Sequence, residues 1–238
     1  HNGEYIMTTT ASGTTISNDT LEVLKNFSSI NSNILVKEGN TLTTISPVKN
    51  VMARANVTES FDQEFGIWDL NKFLGTISLF EDPEFMFEEK SVTIESKKNN
   101  SSVQYYYSEP SLLTTVNKTI NMPEVVVECV LTQSHFNDIL KASSVLQVND
   151  IAIRSNGDSI ELVAMDKSDK TSNSYSIEIG NLTNHNQDFI FYFKSDNLKM
   201  LPGSYDVRIT EKVVSEFKHQ SRDLTYWVAL ESDSTYSS

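Results

Sequence analysis

The chain has 238 residues, 38% of them apolar and 21% charged, with 32 acidic against 19 basic side chains and a formal net charge of −13. That is enough apolar material for one large core or two of about 110 residues each. The 10% aromatic content excludes a disordered chain, and no run approaches the roughly 18 uninterrupted apolar residues of a membrane span. A protein that grips nucleic acid over its whole surface would not carry this charge, so any DNA contact has to be a local patch. Cys129 is the single cysteine, which rules out an internal disulfide and fits a reducing compartment.

Residues 1–13 read as a tag or a disordered N-terminus, without the basic region and apolar stretch of a signal peptide. Leu21 to Ile30 then has helical spacing: Leu21, Leu24 and Phe27 on one side, Glu22, Lys25 and Asn26 on the other, with Ser17 or Asn18 as its cap. Strands follow at Ile34 to Val36 and Thr41 to Ile45, around a Glu38-Gly39-Asn40 turn. Val51, Ala53, Ala55 and Val57 alternate with more polar residues, the period of a half-buried strand. Phe65-Gly66-Ile67 leads into a second helix, Trp68 to Ile77, and the carboxylates of Glu81–Glu84 and Glu88-Glu89 read as a solvated turn. Strands are expected at 92–95 and 103–107, and the stretch from Glu109 to Lys118, running on to Met122-Pro123, reads as a linker. Beyond it come a strand at 125–130, a helix with Phe136, Ile139, Leu140, Ser143 and Leu146 on its buried side, and strands at 151–153 and 159–165. A strand at 174–179 precedes Phe191-Tyr192-Phe193, which leads into a fourth helix, 195–201, stopped by Pro202-Gly203. Strands at 205–210 and 225–230 complete the series.

The second series repeats the first. Lys25 pairs with Lys141, Ile34 with Ile151 and Gly39 with Gly157; later, Asp69 pairs with Asp196 and Lys72 with Lys199. Two matching segments in the same order point to a duplication, with an insertion at the loop 166–173. The chain is thus expected to be α+β: two similar domains, 14–108 and 124–238, each with two helices packed on antiparallel sheets, joined by a connector over 109–123. Every predicted helix carries a lysine on its polar side: Lys25, Lys72, Lys141 and Lys199.

Several segments in order resemble the sliding clamps of T-even-type phages: 24–32, Asp69 to Leu74, Asp150 to Ile153, Met200 to Tyr205, and the ending Trp227 to Thr235. The similarity spans roughly residues 15–236 and is weakest from Phe80 to Thr119. It implies the DNA-clamp fold and a ring-shaped homotrimer that encircles double-stranded DNA and tethers the replicative DNA polymerase. Helices would line the hole, so the four lysines would face DNA, where flexible point charges suit phosphates without fixing sequence. An acidic exterior would keep DNA off the outside. The resemblance also implies that an edge strand of one subunit's first domain pairs with an edge strand of the next subunit's second domain. The corresponding strands hold Tyr105, Tyr106 and Tyr107, and Tyr175 and Ile177. A partner-peptide pocket near the connector, for the polymerase C-terminal peptide, is expected to use Ile45, Val48, Leu112, Leu113 and Val116. An ATP-dependent clamp loader is a further implied partner, and the cytoplasm of a bacterial host, in which a virus-encoded protein acts, the implied location.

Catalysis has no visible foothold. His1, His135, His185 and His219 show no metal-ligand spacing with one another or with Cys129, which sits in an apolar strand. There is no phosphate-binding glycine loop and no nucleophile elbow, so neither enzyme activity nor a cofactor is expected. The rival reading is a strand-rich trimeric virion protein with no DNA role; the lysine on every repeated helix speaks against it.

Overall fold

The first helix starts where the sequence offers a cap. The Ser17 side chain accepts from the Thr20 amide, and α1 (Asn18–Ser28) buries Thr20, Val23, Leu24 and Phe27. The computed structural model describes residues 13–117 and 119–238. The expected N-terminal tag or disordered stretch therefore lies outside the described residues except for Gly13, and so does Lys118 of the connector. Strands β1 (Ile34–Val36), β2 (Gly39–Ile45), β3 (Val51–Phe61) and β4 (Phe65–Ile67) follow. Gly39 and Gly157, matched by the repeat, both have positive φ, at 110° and 59°, a backbone region that favours glycine. Helix α2 (Leu70–Ile77) is capped by Asp69, whose carboxylate accepts from the Lys72 amide at 2.9 Å.

Strands β5 (Glu84–Phe87), β6 (Ser91–Ser96) and β7 (Ser101–Tyr106) form a three-stranded antiparallel sheet. Here the expectation of a solvated turn over 81–89 is corrected. Its acidic ends are exposed, but Phe85 between them is buried and stacks with Phe87. Burial of that aromatic area outweighs the local turn signals of Asp82 and Pro83.

The second half contributes β8 (Val125–Leu131), α3 (Gln133–Leu146), β9 (Asp150–Asn156), β10 (Ser159–Met165), β11 (Tyr175–Asn181), β12 (Asp188–Lys194), β13 (Tyr205–Thr210), β14 (Val214–His219), β15 (Leu224–Ala229) and β16 (Thr235–Ser237). Helix α3 opens on a capping box, with the Thr132 side chain accepting from the His135 amide and His135 accepting from the Thr132 amide. Five strands assemble in the order β11-β10-β9-β12-β16. Six assemble as β2-β3-β15-β14-β13-β8, which joins the two halves in one sheet. At the seam Ala53 faces Tyr226 and Ala55 faces Leu224, small against large, and a continuous apolar core runs from Val23 to Leu230 beneath it.

The fourth helix is also corrected. Ser195–Leu198 is a single 3-10 turn, and Lys199 already leaves helical geometry at φ −77°, ψ 76°. Pro202 offers no amide donor, and serine, aspartate and asparagine before it compete with helix formation through their own side chains. The second half therefore has one α-helix and one 3-10 turn where two helices were expected. Strands β4, β5, β12, β14 and β16 are additions to the predicted set.

Candidate functional site

Lys25, Lys72, Lys141 and Lys199 are all exposed. Three of them come from adjoining surface. Helix α1 packs on α2, and Asn26 of α1 donates from Nδ2 to the Lys199 carbonyl at 3.1 Å while accepting from the Tyr226 hydroxyl at 2.6 Å. Lys141 stands apart from this group on α3, which packs on β8 to β11. Every one of the four has an exposed carboxylate three residues earlier: Glu22, Asp69, Asp138 and Asp196. Lys199 is ion-paired to Asp196 at 3.2 Å, and Glu22 is taken by Arg222 at 3.0 Å. With Asp19 added, the helical surface is close to electrically balanced rather than a positive patch.

Strands β7 and β11 are the outer strands of their sheets, and among the described residues neither has a partner on its free side. Strand alternation divides the three tyrosines. Tyr105 packs on Phe73 with ring centroids 5.1 Å apart, and its hydroxyl donates to the Asp69 carbonyl at 3.3 Å. Tyr107 packs on Phe65 at 5.3 Å, and its hydroxyl accepts from Gln63 at 3.3 Å. Burial pushes the Tyr107 phenol up to about 12. Tyr106 alone turns outward, 66% exposed. Beside it lies an open hollow of about 630 Å³, lined by Trp68, Lys72, Thr76, Tyr105 and Tyr106. On β11, Tyr175 and Ile177 are half-buried against the core, and Ser176 and Glu178 face outward.

Of the five pocket residues, Ile45 and Val116 come into one neighbourhood, where Asn31 donates to the Ile45 and Thr114 carbonyls at 2.9 and 3.5 Å. Leu113 is buried under Gly66, where an added Cβ would come within 2.6 Å of its Cδ1. Leu112 and Val48 are exposed. Ile45 is half-buried, with its carbonyl accepting from Asn31 at 2.9 Å. Val116 lines a space of about 10 Å³ together with Asn33 and Thr44, whose Oδ1 and Oγ1 atoms are buried without partners. That is room for about one water molecule between polar groups that need one. Sequence reasoning missed Val213, an exposed apolar residue in the β13–β14 turn. The Leu230 amide donates to the Val213 carbonyl at 3.1 Å and the Ala229 amide to the Asn50 carbonyl at 2.9 Å, which gathers the Val48 turn, Val213 and Leu230 at one end of the six-stranded sheet. A valine at the tip of a hairpin was the available signal.

Burial pushes the Cys129 thiol up to about 12, so it is a poor nucleophile at neutral pH. His219 is buried, with Nδ1 accepting from the Ser221 and Arg222 amides at 3.1 and 3.0 Å and Nε2 directed at the Pro202 carbonyl at 3.0 Å. Among the described residues no group of three or more His, Cys, Asp or Glu side chains could hold a metal ion, and no helix is long and apolar enough to cross a membrane.

Residues 109–232 match the family model described as gp45 sliding clamp, C terminal, and residues 17–122 match that of DNA polymerase processivity factor. The chain is similar to the sliding clamp of Enterobacteria phage T4, 31% identical with 93% of this chain and 98% of the relative covered. It is 30% identical to that of Escherichia phage RB69 at the same coverage, and 28% identical to that of Vibrio phage KVP40, covering 91% of this chain and 98% of the relative. Among solved structures, proliferating cellular nuclear antigen from Entamoeba histolytica aligns with a TM-score of 0.65 at 13% identity, over 89% of this chain and 94% of that one. A. fulgidus PCNA, solved with the C-terminal region of FEN-1 bound, aligns with the same TM-score and identity over 88% of this chain and 93% of that one. The fold is the DNA-clamp fold, and these matches give the virion reading no support.

Proposed function

The chain belongs to the gp45 sliding clamp family, and we propose that it works as a ring of three copies that encircles double-stranded DNA and tethers the replicative DNA polymerase. It is a processivity factor: holding the polymerase on a ring turns rebinding into an intramolecular event. The observation that carries the ring is the pair of unpartnered outer strands, β7 from the first half and β11 from the second. Head-to-tail pairing of β7 on one copy with β11 on the next joins unlike surfaces, and such a contact closes into a ring when the rotation allows. It also covers two of the free sheet edges, which otherwise invite aggregation. Tyr106 is the aromatic anchor of that contact, with Tyr105, Tyr107, Tyr175 and Ile177 stiffening the two strands from behind.

The domains of the clamp are 14–108 and 124–238, with 109–123 as their connector. Lys25, Lys72, Lys141 and Lys199 face the hole and meet phosphates. The polymerase C-terminal peptide docks where Val48, Ile45 and Leu112 offer apolar surface, while Leu113 and Val116 anchor the connector. The sequence has no phosphate-binding glycine loop, so ring opening falls to a separate ATP-dependent loader. The chain itself performs no catalysis and acts in the cytoplasm of a bacterial host.

Native mass spectrometry with and without closed circular DNA tests this reading. A threefold mass, with retention on circles that is lost when they are linearised, is the expected result. A monomer at all concentrations, or a trimer indifferent to circles even with a cognate loader and ATP, overturns it.

A further inference from the structure

We infer that Glu22, Asp69, Asp138 and Asp196 are internal competitors for the four lysines, present to hold the attraction for DNA below the level at which the ring would grip rather than slide. The inference rests on the clamp reading above. An acid three residues before a lysine is, in an ordinary helix, a modest stabiliser of that helix. Three observations point beyond that role.

First, an acid stands three residues before the lysine at all four positions, Glu22 and Lys25, Asp69 and Lys72, Asp138 and Lys141, Asp196 and Lys199, with all eight side chains exposed; among the described residues Asp196 and Lys199 are the two in direct ion-pair contact. Second, the pair at 196–199 survives where the helix does not. Ser195–Leu198 is a 3-10 turn, yet Lys199 and Asp196 still meet at 3.2 Å, so helix stability does not explain its retention there. Third, the neighbouring charges beside α1 do not favour a positive field. Asp19 adds another carboxylate at the start of α1, and Arg222, which reaches this surface, is held by Glu22 and by the Asp19 carbonyl at 3.1 Å.

The physical consequence follows from how such charges bind DNA. Each lysine that settles on a phosphate releases counterions and deepens binding. A ring held by topology gains nothing from this, and every settled contact has to be broken before the ring moves. The pull of an exposed acid on a lysine three residues away is weak, so a passing phosphate outcompetes it and the acid's attraction is felt again once the phosphate leaves. The lysines stay available for steering while the net attraction stays small.

The test is a variant of the full chain, Glu22→Gln with Asp69→Asn, Asp138→Asn and Asp196→Asn; asparagine caps a helix as well as aspartate does, so α2 keeps its start. Fluorescence anisotropy on a short linear duplex, run across a salt series, is read beside retention on circular DNA. The slope of log affinity against log salt is expected to steepen by about 0.9 for each lysine released onto a phosphate, and diffusion along end-blocked DNA to slow. An unchanged slope and unchanged diffusion, while the unaltered chain is retained on circles, overturns the inference and leaves the clamp intact. Earlier melting with an unchanged slope also overturns it, because the acids then serve only the helices. Loss of retention by the unaltered chain strikes the clamp reading instead. The single variant Asp196→Asn, in the 3-10 turn where no helix is at stake, repeats the measurement if the fourfold variant fails to fold.

Discussion

The segments 68–77 and 195–201 carry the same acid-x-x-lysine signature, yet one is the two-turn helix α2 and the other a single 3-10 turn. The difference lies in what holds each. Helix α2 is held by its own backbone ladder, the Asp69 cap, and burial of Leu70, Phe73 and Ile77. The 3-10 turn is held by side chains from elsewhere. The Tyr226 hydroxyl accepts from the Leu201 amide at 3.1 Å, the Tyr205 hydroxyl donates to the Leu201 carbonyl at 2.5 Å, and the Pro202 carbonyl faces His219 at 3.0 Å. A duplicated pattern thus survives as surface chemistry while the backbone beneath it is replaced, provided tertiary partners satisfy the polar groups that a lost helix would leave open.

The sharpest way to break this arrangement is at Gly203, just past the turn. Its φ is +149°, and an added Cβ would run into the His219 imidazole, which stands edge-on to Tyr205 at 5.0 Å. Gly203→Ala is expected to lower unfolding stability by about 2–4 kcal/mol, from backbone strain and overpacking together; denaturant titration measures it. Next comes Tyr226→Phe, which leaves the Leu201 amide and the Asn26 side chain without their hydroxyl partner at the seam of the two halves. The expected cost is about 1–3 kcal/mol. An unchanged midpoint would mean that water replaces the hydroxyl and that the turn does not depend on the seam.

Much of this contrast was legible in the sequence, and its limits are physical. The duplication, the strand at 51–57 and the helices around Phe27, Phe73 and Phe136 announce themselves through periodicity. The 3-10 turn does not, because Leu198 and Leu201 have helix-like spacing and Pro202 only hints at how early the helix ends. Strands β5 and β12 hide in short aromatic runs, Phe85-Met86-Phe87 and Phe191-Tyr192-Phe193, which periodicity alone does not orient. The site divides in the same way. The lysines are legible in local pattern, and so are the acids three residues before them, whereas the outer position of β7 and β11 followed from the family resemblance. Burial of Leu113 under Gly66, and the meeting of the Val48 turn with Val213, depend on contacts between residues far apart in the chain.

The two leading helices of the halves sharpen the comparison further. Helix α3 is capped locally by Thr132 and His135, whereas α1 recruits Glu59 from β3, which accepts from the Ser17 amide at 3.0 Å and from the Thr20 hydroxyl. Burial pushes the Glu59 carboxyl up, but the bonds from Thr20 and Ser17 together outweigh it and hold the group below its ordinary 4.5. A carboxyl lowered by folding adds stability above its unfolded value, and that contribution is lost as pH falls through the folded one. Glu59→Gln is therefore expected to cost about 1 kcal/mol at neutral pH, a capping-sized loss. The gap from the unaltered chain should close as the pH falls below 4.5. A gap that persists at acid pH would show that packing, and not charge, ties β3 to α1.

The smallest effect has the opposite sign. Gly75 lies inside α2, and a Cβ there meets nothing within 4 Å, so alanine brings helix propensity without collision. Gly75→Ala is expected to stabilise by about 1 kcal/mol or less, raising the melting midpoint by about 2–4 °C for each kcal/mol in a chain of this size. The repeat aligns Gly75 with Pro202, one residue before Gly203, so one substitution type applied at the ends of the two related segments should raise stability in one and lower it in the other. That opposition follows directly from a backbone ladder in the first half and tertiary clamping in the second. If Gly75→Ala instead destabilises, then α2 also depends on neighbours it must not crowd, and the two segments are closer in kind than their backbones suggest.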